Sequence, residues 1–374
     1  YQIFFKGKTN EIILKDVLIG EVWLCSGQSN MEWSANSKIE NRDFEVANAN
    51  YPNIRLFTVA KRTAKYPQED VSGSWATCSP ETMQDFSAVA YFFARRIQEE
   101  LNIPIGLIDN AWGATSAEVW TPESVFKEHP EFVEAHKMIK PNKWVTVEKS
   151  SLYNAMTAPL TKFKIGGALW YQGESNAPNA ENYQNLFTNM ITSWRTEWQD
   201  DFPFYYVQIA PFKYDDEFKG GIVRDQQRRA LSLKNTGMAM TSDICKVEDI
   251  HPLNKQDVGL RLGNIALKNH YNLLQDQEVY GPLFDSSEII GNQIKINFNH
   301  AEGLYNKSKK IDLFEISNEE GQWFAAKAKI KNGAVIVSSK EVKNPKRVRY
   351  AWRSTDIGAL FNEVGLPAST FTSE

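Results

Sequence analysis

The sequence predicts an α/β protein with a mostly parallel sheet covered by helices on both faces, followed by a small antiparallel β unit. Short apolar runs alternate with longer amphipathic ones from about residue 20 to residue 275. That alternation is typical of parallel sheets with helices on both sides. After about residue 280, apolar residues recur at every second position, as in Ile294, Ile296 and Phe298, which is the period of a half-buried strand.

The parallel sheet is predicted from six short apolar runs, each followed by a polar or glycine-containing loop. These runs are Val22–Cys25, Ile54–Val59, Ile105–Asp109, Gly167–Trp170, Phe204–Ile209 and Met238–Thr241. Three intervening segments carry apolar residues at helical spacing. They follow Ser87, span Glu181–Trp198, and run from Asn254 to about His270. We therefore predict one domain over residues 20–279.

The C-terminal unit is marked by Asn332-Gly333, which lies between the strand-like runs Ala325–Ile330 and Ala334–Ser338. A two-residue hairpin turn needs positive φ at both central positions, and Asn and Gly adopt it most readily. Arg347–Trp352 is a further candidate strand. We predict an accessory β domain over residues 280–374 and expect the strand-like residues 1–19 to join it.

The composition excludes several classes of protein. Of the 374 residues, 42% are hydrophobic and 24% are charged, as in a globular protein. The net charge is -4 without a long basic run, so we expect neither nucleic acid nor an anionic membrane as a partner. Cys25, Cys78 and Cys245 are odd in number and widely spaced. They form no zinc-binding pattern, and we expect mainly buried thiols.

The most informative segment is residues 20–33, where an apolar run ends at Ser26-Gly27 and Ser29 follows between two amide side chains. A turn from a strand into a helix lifts a hydroxyl out of the packed sheet. The first N–H groups of the new helix then point at whatever binds there. Taken alone, such a segment is more often an ordinary turn, so the case for a nucleophile depends on other loops.

Three further loops with polar chemistry follow predicted strands: Asn110–Thr115, Tyr171–Asn176 and Glu248–His251. The carboxyl ends of parallel strands meet at one edge of a sheet, where reacting groups collect. An acyl-transfer site needs a nucleophile, a base, an acid that orients the base, and donors for the oxyanion. These loops contain candidates for each of those roles.

The candidate base is His251, one of five histidines in the chain. Unlike the others, it follows two acids and precedes a proline and a predicted helix. Glu248, three residues earlier, is placed to turn back to the imidazole Nδ1 and fix its tautomer. Asp249, two residues earlier, is the competing candidate, and both remain open.

The candidate oxyanion donors are the backbone N–H groups of Ser29 and Gly113, together with a side-chain amide from Gln172 or Asn176. Glycine suits the second position because a close approach of backbone to substrate leaves no room for Cβ. No metal enters this scheme.

Glu174, in the third loop, has two interpretations. It is either a glycosidase-type acid, which requires a second carboxylate nearby, or a buried carboxylate that holds the loop through an arginine. The second interpretation is favoured, with Arg224 as the expected partner.

Long blocks of this sequence resemble the sialate O-acetylesterases, a family of the SGNH hydrolase superfamily. The resemblance covers nearly the whole chain and is strongest in Gly20–Trp33, Trp112–Trp120, Leu169–Ala177, Arg224–Gln227 and Asp249–Gln256. It implies a flavodoxin-like three-layer sandwich. It also implies that Ser29 is the nucleophile and His251 the base, with Gly113 and the third block at the oxyanion hole.

Two positions depart from the pattern of this superfamily. Glu248 stands where an aspartate is usual, which leaves the choice between Glu248 and Asp249 open. Ala114 stands where a second glycine is common, and its Cβ narrows the space in which the backbone approaches the substrate.

The leading hypothesis is a serine esterase that removes O-acetyl groups from carbohydrates through an acetyl-enzyme, without metal or organic cofactor. The acetylated sugar stays open between sialic acid and plant or host glycans, including an acetylxylan-type substrate. The alternative class is a non-catalytic carbohydrate-binding protein. The chain begins with Tyr1 rather than Met, so we expect its true start to be missing, and we expect a secreted or periplasmic protein.

Overall fold

The computed structural model describes residues 1–141, 143, 145–308 and 310–374. The strands of the described chain are β1 (Ile3–Lys6), β2 (Glu11–Leu14), β3 (Glu21–Gly27), β4 (Tyr51–Thr58), β5 (Trp75–Cys78), β6 (Ile105–Ala111), β7 (Gly167–Tyr171), β8 (Phe204–Val207), β9 (Thr236–Ala239), β10 (Leu283–Ile290), β11 (Gln293–Asn299), β12 (Tyr305–Asn306), β13 (Phe314–Ser317), β14 (Trp323–Ala325), β15 (Lys327–Lys331), β16 (Ala334–Ser338), β17 (Val348–Tyr350), β18 (Leu360–Phe361) and β19 (Phe371–Thr372). Its α-helices are α1 (Ser29–Glu32), α2 (Arg42–Ala47), α3 (Pro80–Met83), α4 (Ala88–Leu101), α5 (Glu123–Glu128), α6 (Pro130–His136), α7 (Tyr183–Trp198), α8 (Lys219–Arg229) and α9 (Lys255–Asn269).

The central sheet has seven strands in the order β5-β4-β6-β3-β7-β8-β9. Its neighbouring strands are parallel except for the edge pair β4 and β5, which is antiparallel. The predicted α/β class with a mostly parallel sheet is therefore confirmed. The six predicted strands are present with shifted ends, and the edge strand β5 was missed because its four residues show no clear alternation.

Helices cover both faces of this sheet and complete three layers. Side chains alternate along β3, so that Trp23 and Cys25 join the core beneath α4 and α9, while Leu24 joins the core beneath α7. Helices α4 and α9 approach closely at Gly259, where an added Cβ would lie 2.8 Å from the Val89 carbonyl oxygen. This contact fixes the position of α9 over the sheet.

The strand order reverses direction beside β3, because β4 and β6 lie on one side of it and β7 to β9 on the other. Clefts form at such switch points, beyond the carboxyl ends of the strands. The loops after β3, β6 and β7 therefore meet at one place, as the sequence predicts.

The C-terminal region forms two four-stranded antiparallel sheets, ordered β10-β11-β16-β15 and β14-β13-β17-β19. The hairpin predicted at Asn332-Gly333 is confirmed, with φ values of 53° and 73°. Strands β1 and β2 pair with each other as a separate sheet and do not extend the C-terminal sheets. The domain division at residue 280 stays a prediction.

Arg224 lies on α8 and faces the C-terminal segment, so the predicted pairing of Arg224 with Glu174 is wrong. Its buried guanidinium donates to Thr370 Oγ1 at 2.8 Å. It also donates to the backbone carbonyl oxygens of Ala351, Arg353 and Ser354. The sequence pattern did not reveal α8, and without that helix the direction of this side chain was not predictable.

Cys25, Cys78 and Cys245 carry free thiols, and the first two are buried. Within the described part of the chain, every helix is too short or too polar to cross a membrane.

We predict that Arg224→Met lowers the free energy of unfolding by about 3 kcal/mol, because several buried oxygen acceptors lose their donors together. Urea denaturation followed by circular dichroism measures this loss. Arg347→Met is the matched control, since Arg347 makes an exposed ion pair with Glu374 and such pairs contribute about 0–1 kcal/mol. Equal losses in the two variants would show that the hydrogen bonds from Arg224 to the C-terminal segment do not stabilise the fold.

Candidate active site

Ser29 begins α1 directly beyond the end of β3. The turn between them passes close to β7, because a Cβ on Gly27 (φ 138°) would lie 2.3 Å from the Tyr171 carbonyl oxygen. Only glycine fits there, and the turn directs the Ser29 side chain out of the sheet. Ser29 Oγ lies 2.9 Å from His251 Nε2, although the two residues are 222 positions apart in the chain.

His251 is held from two directions. The ring of Trp33 stacks on the imidazole with centroids 4.1 Å apart and an interplanar angle of 21°. Asp249 Oδ1 accepts the backbone N–H of His251 at 2.9 Å, a local turn that is common for aspartate. The imidazole is therefore kept in position by packing as well as by its bond to Ser29.

Glu248 does not turn back to His251 as the sequence suggested. It lies in a tight turn closed by a 3.0 Å hydrogen bond from the Asp249 N–H to the Lys246 carbonyl oxygen, and its side chain is exposed. The structure gives its carboxylate no hydrogen bond or ion pair to any described residue. Asp249 is the acid that contacts His251, through the backbone.

Burial lowers the pKa of His251, and the positive charge of Lys255 lowers it further, while Asp249 opposes both. A lowered pKa means that the imidazole is neutral, and able to accept a proton, at neutral pH.

Gly113 packs directly against the serine, since a Cβ there would lie 3.3 Å from Ser29 Cβ. The Gly113 backbone therefore lies beside Ser29. In this structure the Gly113 N–H donates to Glu32 Oε2 at 2.6 Å. The same carboxylate also pairs with Lys61, so an acidic side chain takes up the N–H that the sequence assigns to an oxyanion hole.

Gln172 and Asn176 are fully buried and use their amide donors elsewhere, so neither faces Ser29 as an oxyanion donor. Gln172 Nε2 donates to the Thr115 carbonyl oxygen at 3.1 Å and to Asn176 Oδ1 at 2.8 Å. Asn176 Nδ2 donates to Glu118 Oε2 at 3.0 Å. These bonds join the loop after β7 to the loop after β6, which corrects the role expected from sequence.

Glu174 is buried and bonds to the loop that carries Ser29. Its Oε1 accepts from Asn30 Nδ2 at 2.7 Å, and its Oε2 has no hydrogen-bond partner among the described residues. Burial raises the pKa of this carboxyl, and Asn30 and Lys255 oppose the rise. The carboxyl is buried, as the second interpretation expects, but it bonds to Asn30 and not to an arginine.

Two residues next to Ser29 and His251 were not predicted from the sequence. Asn30 follows the serine, and Lys255 Nζ donates to Asn30 Oδ1 at 2.5 Å. Lys255 is the first residue of α9 and is fully buried. A lysine in the first turn of a helix opposes the helix dipole, and this was the available signal that its ammonium has another partner.

Ser29 opens into a cleft of about 550 Å³ that Glu32, Trp33, Lys61 and Asp109 also line. Burial, followed by the charge of Glu32, raises the pKa of Asp109 to about 8. Burial thus favours the neutral form of this carboxyl over the carboxylate. A wider cavity of about 910 Å³ lies at the beginnings of the strands. It is at the opposite edge of the sheet, and no serine is among the described residues that line it.

Ala114 adopts a left-handed backbone conformation with φ 61°. Glycine is favoured there because alanine carries a steric penalty of about 1–2 kcal/mol in this region. The departure from the expected Gly-Gly pair therefore places strain beside Gly113.

A three-layer α/β protein whose central strand leads into a histidine-bonded serine has the architecture of a carboxylic ester hydrolase. The profile of the family described as carbohydrate esterase, sialic acid-specific acetylesterase, matches residues 19–268. That match covers more than half of the chain, and the protein belongs to this family.

Relatives and a solved structure agree with this assignment. The chain is 30% identical to human sialate O-acetylesterase over 81% of its own length and 63% of that protein. It is 28% identical to the mouse sialate O-acetylesterase, over 90% of this chain and 73% of that protein. A crystal structure of a carbohydrate acetylesterase from Xanthomonas citri superposes with a TM-score of 0.90 and 32% identity. That superposition covers 100% of this chain and 85% of the other.

We predict that Ala114→Gly raises the free energy of unfolding by up to about 1 kcal/mol, because it relieves the left-handed alanine. Thermal and urea denaturation measure the change. Ala117→Gly, three residues on in a 3-10 turn with ordinary φ, is the control and is expected to destabilise. A loss of stability in Ala114→Gly would show that no strain is stored there.

Proposed function

We propose that this protein hydrolyses O-acetyl esters of carbohydrates, with Ser29 as nucleophile and His251 as general base. The observation that carries the proposal is the 2.9 Å contact between Ser29 Oγ and His251 Nε2 at the mouth of a cleft. Membership of a carbohydrate esterase family supports the reaction class, and its similarity to sialate O-acetylesterases and to a carbohydrate acetylesterase supports an acetylated sugar as substrate.

The reaction proceeds in two steps. The Ser29 hydroxyl proton passes to His251 Nε2 while Oγ bonds to the acetyl carbonyl carbon, and the carbonyl electrons move onto its oxygen. Collapse of this intermediate breaks the bond to the sugar oxygen, which takes the proton from His251 and leaves as an alcohol. Water, deprotonated by His251, then attacks the acetyl-enzyme; acetate leaves and Ser29 regains its proton.

We propose Asp249 as the acid that supports the imidazole, in preference to Glu248. Its carboxylate holds the His251 backbone at 2.9 Å, and its negative charge favours the imidazolium that forms during attack. The exposed Glu248 carboxylate does not bond to the His251 backbone, and it is not among the charges that shift the pKa of His251.

The proposed oxyanion donors are the N–H groups of Ser29 and Gly113. Glu32 occupies the Gly113 N–H in the structure, so its side chain has to turn away when an ester binds. About a third of that side chain is exposed, and its ion pair with Lys61 faces the cleft, so a rotation within the side chain frees the donor.

The non-catalytic alternative is a carbohydrate-binding protein on the same scaffold. Binding alone has no need for a serine bonded to a histidine with a lowered pKa, which argues for the esterase.

Ser29→Ala is expected to lower kcat for acetate release by at least about 1,000-fold, because Ser29 is the one described residue whose hydroxyl bonds to His251. Release of p-nitrophenol from p-nitrophenyl acetate, and of acetate from acetylated sugars, measures it, with circular dichroism as the test of folding. Ser37→Ala is the matched control, since Ser37 lines the same cleft without contacting His251. Wild-type turnover in a folded Ser29→Ala protein would refute the mechanism.

The contributions of the two acids to catalysis are distinguished by comparing kcat of Asp249→Asn with kcat of Glu248→Gln. We expect Asp249→Asn to lose at least about ten-fold more kcat, because it weakens both the position and the charge that support the imidazole. The reverse order would give the role to Glu248.

The pH dependence follows from the lowered pKa of His251. The reactive form is the neutral imidazole, so kcat/KM is expected to fall on acidification with a midpoint below 6.5, the ordinary value for histidine. A kcat/KM profile measured between pH 4 and 9 at about 0.1 M ionic strength tests this. A midpoint above 6.5 would mean that the Asp249 charge outweighs burial and Lys255.

A further inference from the structure

A buried ammonium group lies beneath the proposed catalytic pair. Lys255 is fully buried, and its Nζ donates to Asn30 Oδ1 at 2.5 Å. The ammonium also faces the ring of Trp33 at 5.7 Å and that of Tyr171 at 5.4 Å. Enclosing a lysine costs free energy unless partners replace its water, and one hydrogen bond with two ring faces is an incomplete replacement.

The partners of this ammonium connect the two loops that carry the reaction. Asn30, which accepts from Lys255, donates in turn to Glu174 Oε1 at 2.7 Å and to the Ile250 carbonyl oxygen at 3.0 Å. Asn30 is adjacent to Ser29, and Ile250 is adjacent to His251. A single polar network therefore sets the distance between the nucleophile loop and the base loop.

The same ammonium acts on the charge of the imidazole. Trp33 contacts both groups, since it stacks on His251 and lies within reach of Lys255. Of the charged groups that act on His251, Lys255 lowers its pKa and Asp249 raises it. Burial lowers the pKa of Lys255 itself to about 7, against the opposing effects of Glu174 and Asp249. Lys255 is thus charged over the acidic range in which His251 gains its proton.

We propose that Lys255 is a positioning residue for the esterase reaction: it fixes Asn30 between the Ser29 and His251 loops, and its ammonium lies against Trp33, the ring that stacks on the His251 imidazole. This inference rests on the proposed function. It assigns to Lys255 an effect on the base that a purely structural lysine would not have.

The test is the pH profile of kcat/KM for Lys255→Met with p-nitrophenyl acetate. Loss of a nearby cation stabilises the imidazolium, so the acidic midpoint is expected to rise by about half a pH unit or more, together with a fall in kcat. Lys268→Met is the matched control, because Lys268 lies in the last turn of the same helix and donates to the exposed backbone carbonyls of Gln275 and Gln277. Its midpoint should equal that of the wild type.

Lys255→Met leaves the Glu174 carboxyl buried without its cation, which can prevent folding. The double variant with Glu174→Gln removes both charges, a change that buried pairs often tolerate, and it is expected to show the same upward midpoint. An unchanged midpoint in either folded variant, even with a lower kcat, would overturn the inference. Ser29→Ala decides the proposed function separately, since its failure to abolish turnover would refute the esterase mechanism whatever Lys255 does.

Discussion

The contact between Ser29 and His251 is the interaction on which the account of this protein depends. It forms because two independent parts of the fold end at the same place. Ser29 follows the central strand β3, where the strand order reverses, and His251 precedes α9, whose position is set by close packing on α4 at Gly259. A change that shifts α9 along α4 would separate the two side chains without touching either of them.

Beneath that contact lies a network of buried polar side chains. Glu174, Asn30 and Lys255 form a chain of hydrogen bonds in which each side chain is buried. In a low dielectric medium such bonds are strong, and an unpaired member is costly. The network therefore stabilises one arrangement of the loops and makes others unfavourable. The same network encloses the positive charge of Lys255, which disfavours protonation of His251.

The sequence predicted the parts of the molecule that follow from local periodicity. Alternating apolar runs gave the parallel strands, and Asn332-Gly333 gave a hairpin, because both depend on neighbouring residues. Side-chain partners across the fold were harder to predict. Arg224 was expected to meet Glu174, but α8 directs it to the C-terminal segment, and the buried amides of Gln172 and Asn176 join two loops rather than facing Ser29. Such choices depend on helix orientation and burial, which no local pattern records.

The central claim is that an acetyl group is carried covalently by Ser29. The most direct measurement is rapid acid quenching during turnover of an acetyl ester, followed by proteolysis and mass spectrometry of the peptides. We expect one added acetyl group on the peptide that contains Ser29, and we expect it to disappear as substrate is exhausted. Acetylation of a different side chain during turnover, or turnover at saturating substrate without any covalent acetyl group despite a burst of alcohol, would contradict this claim.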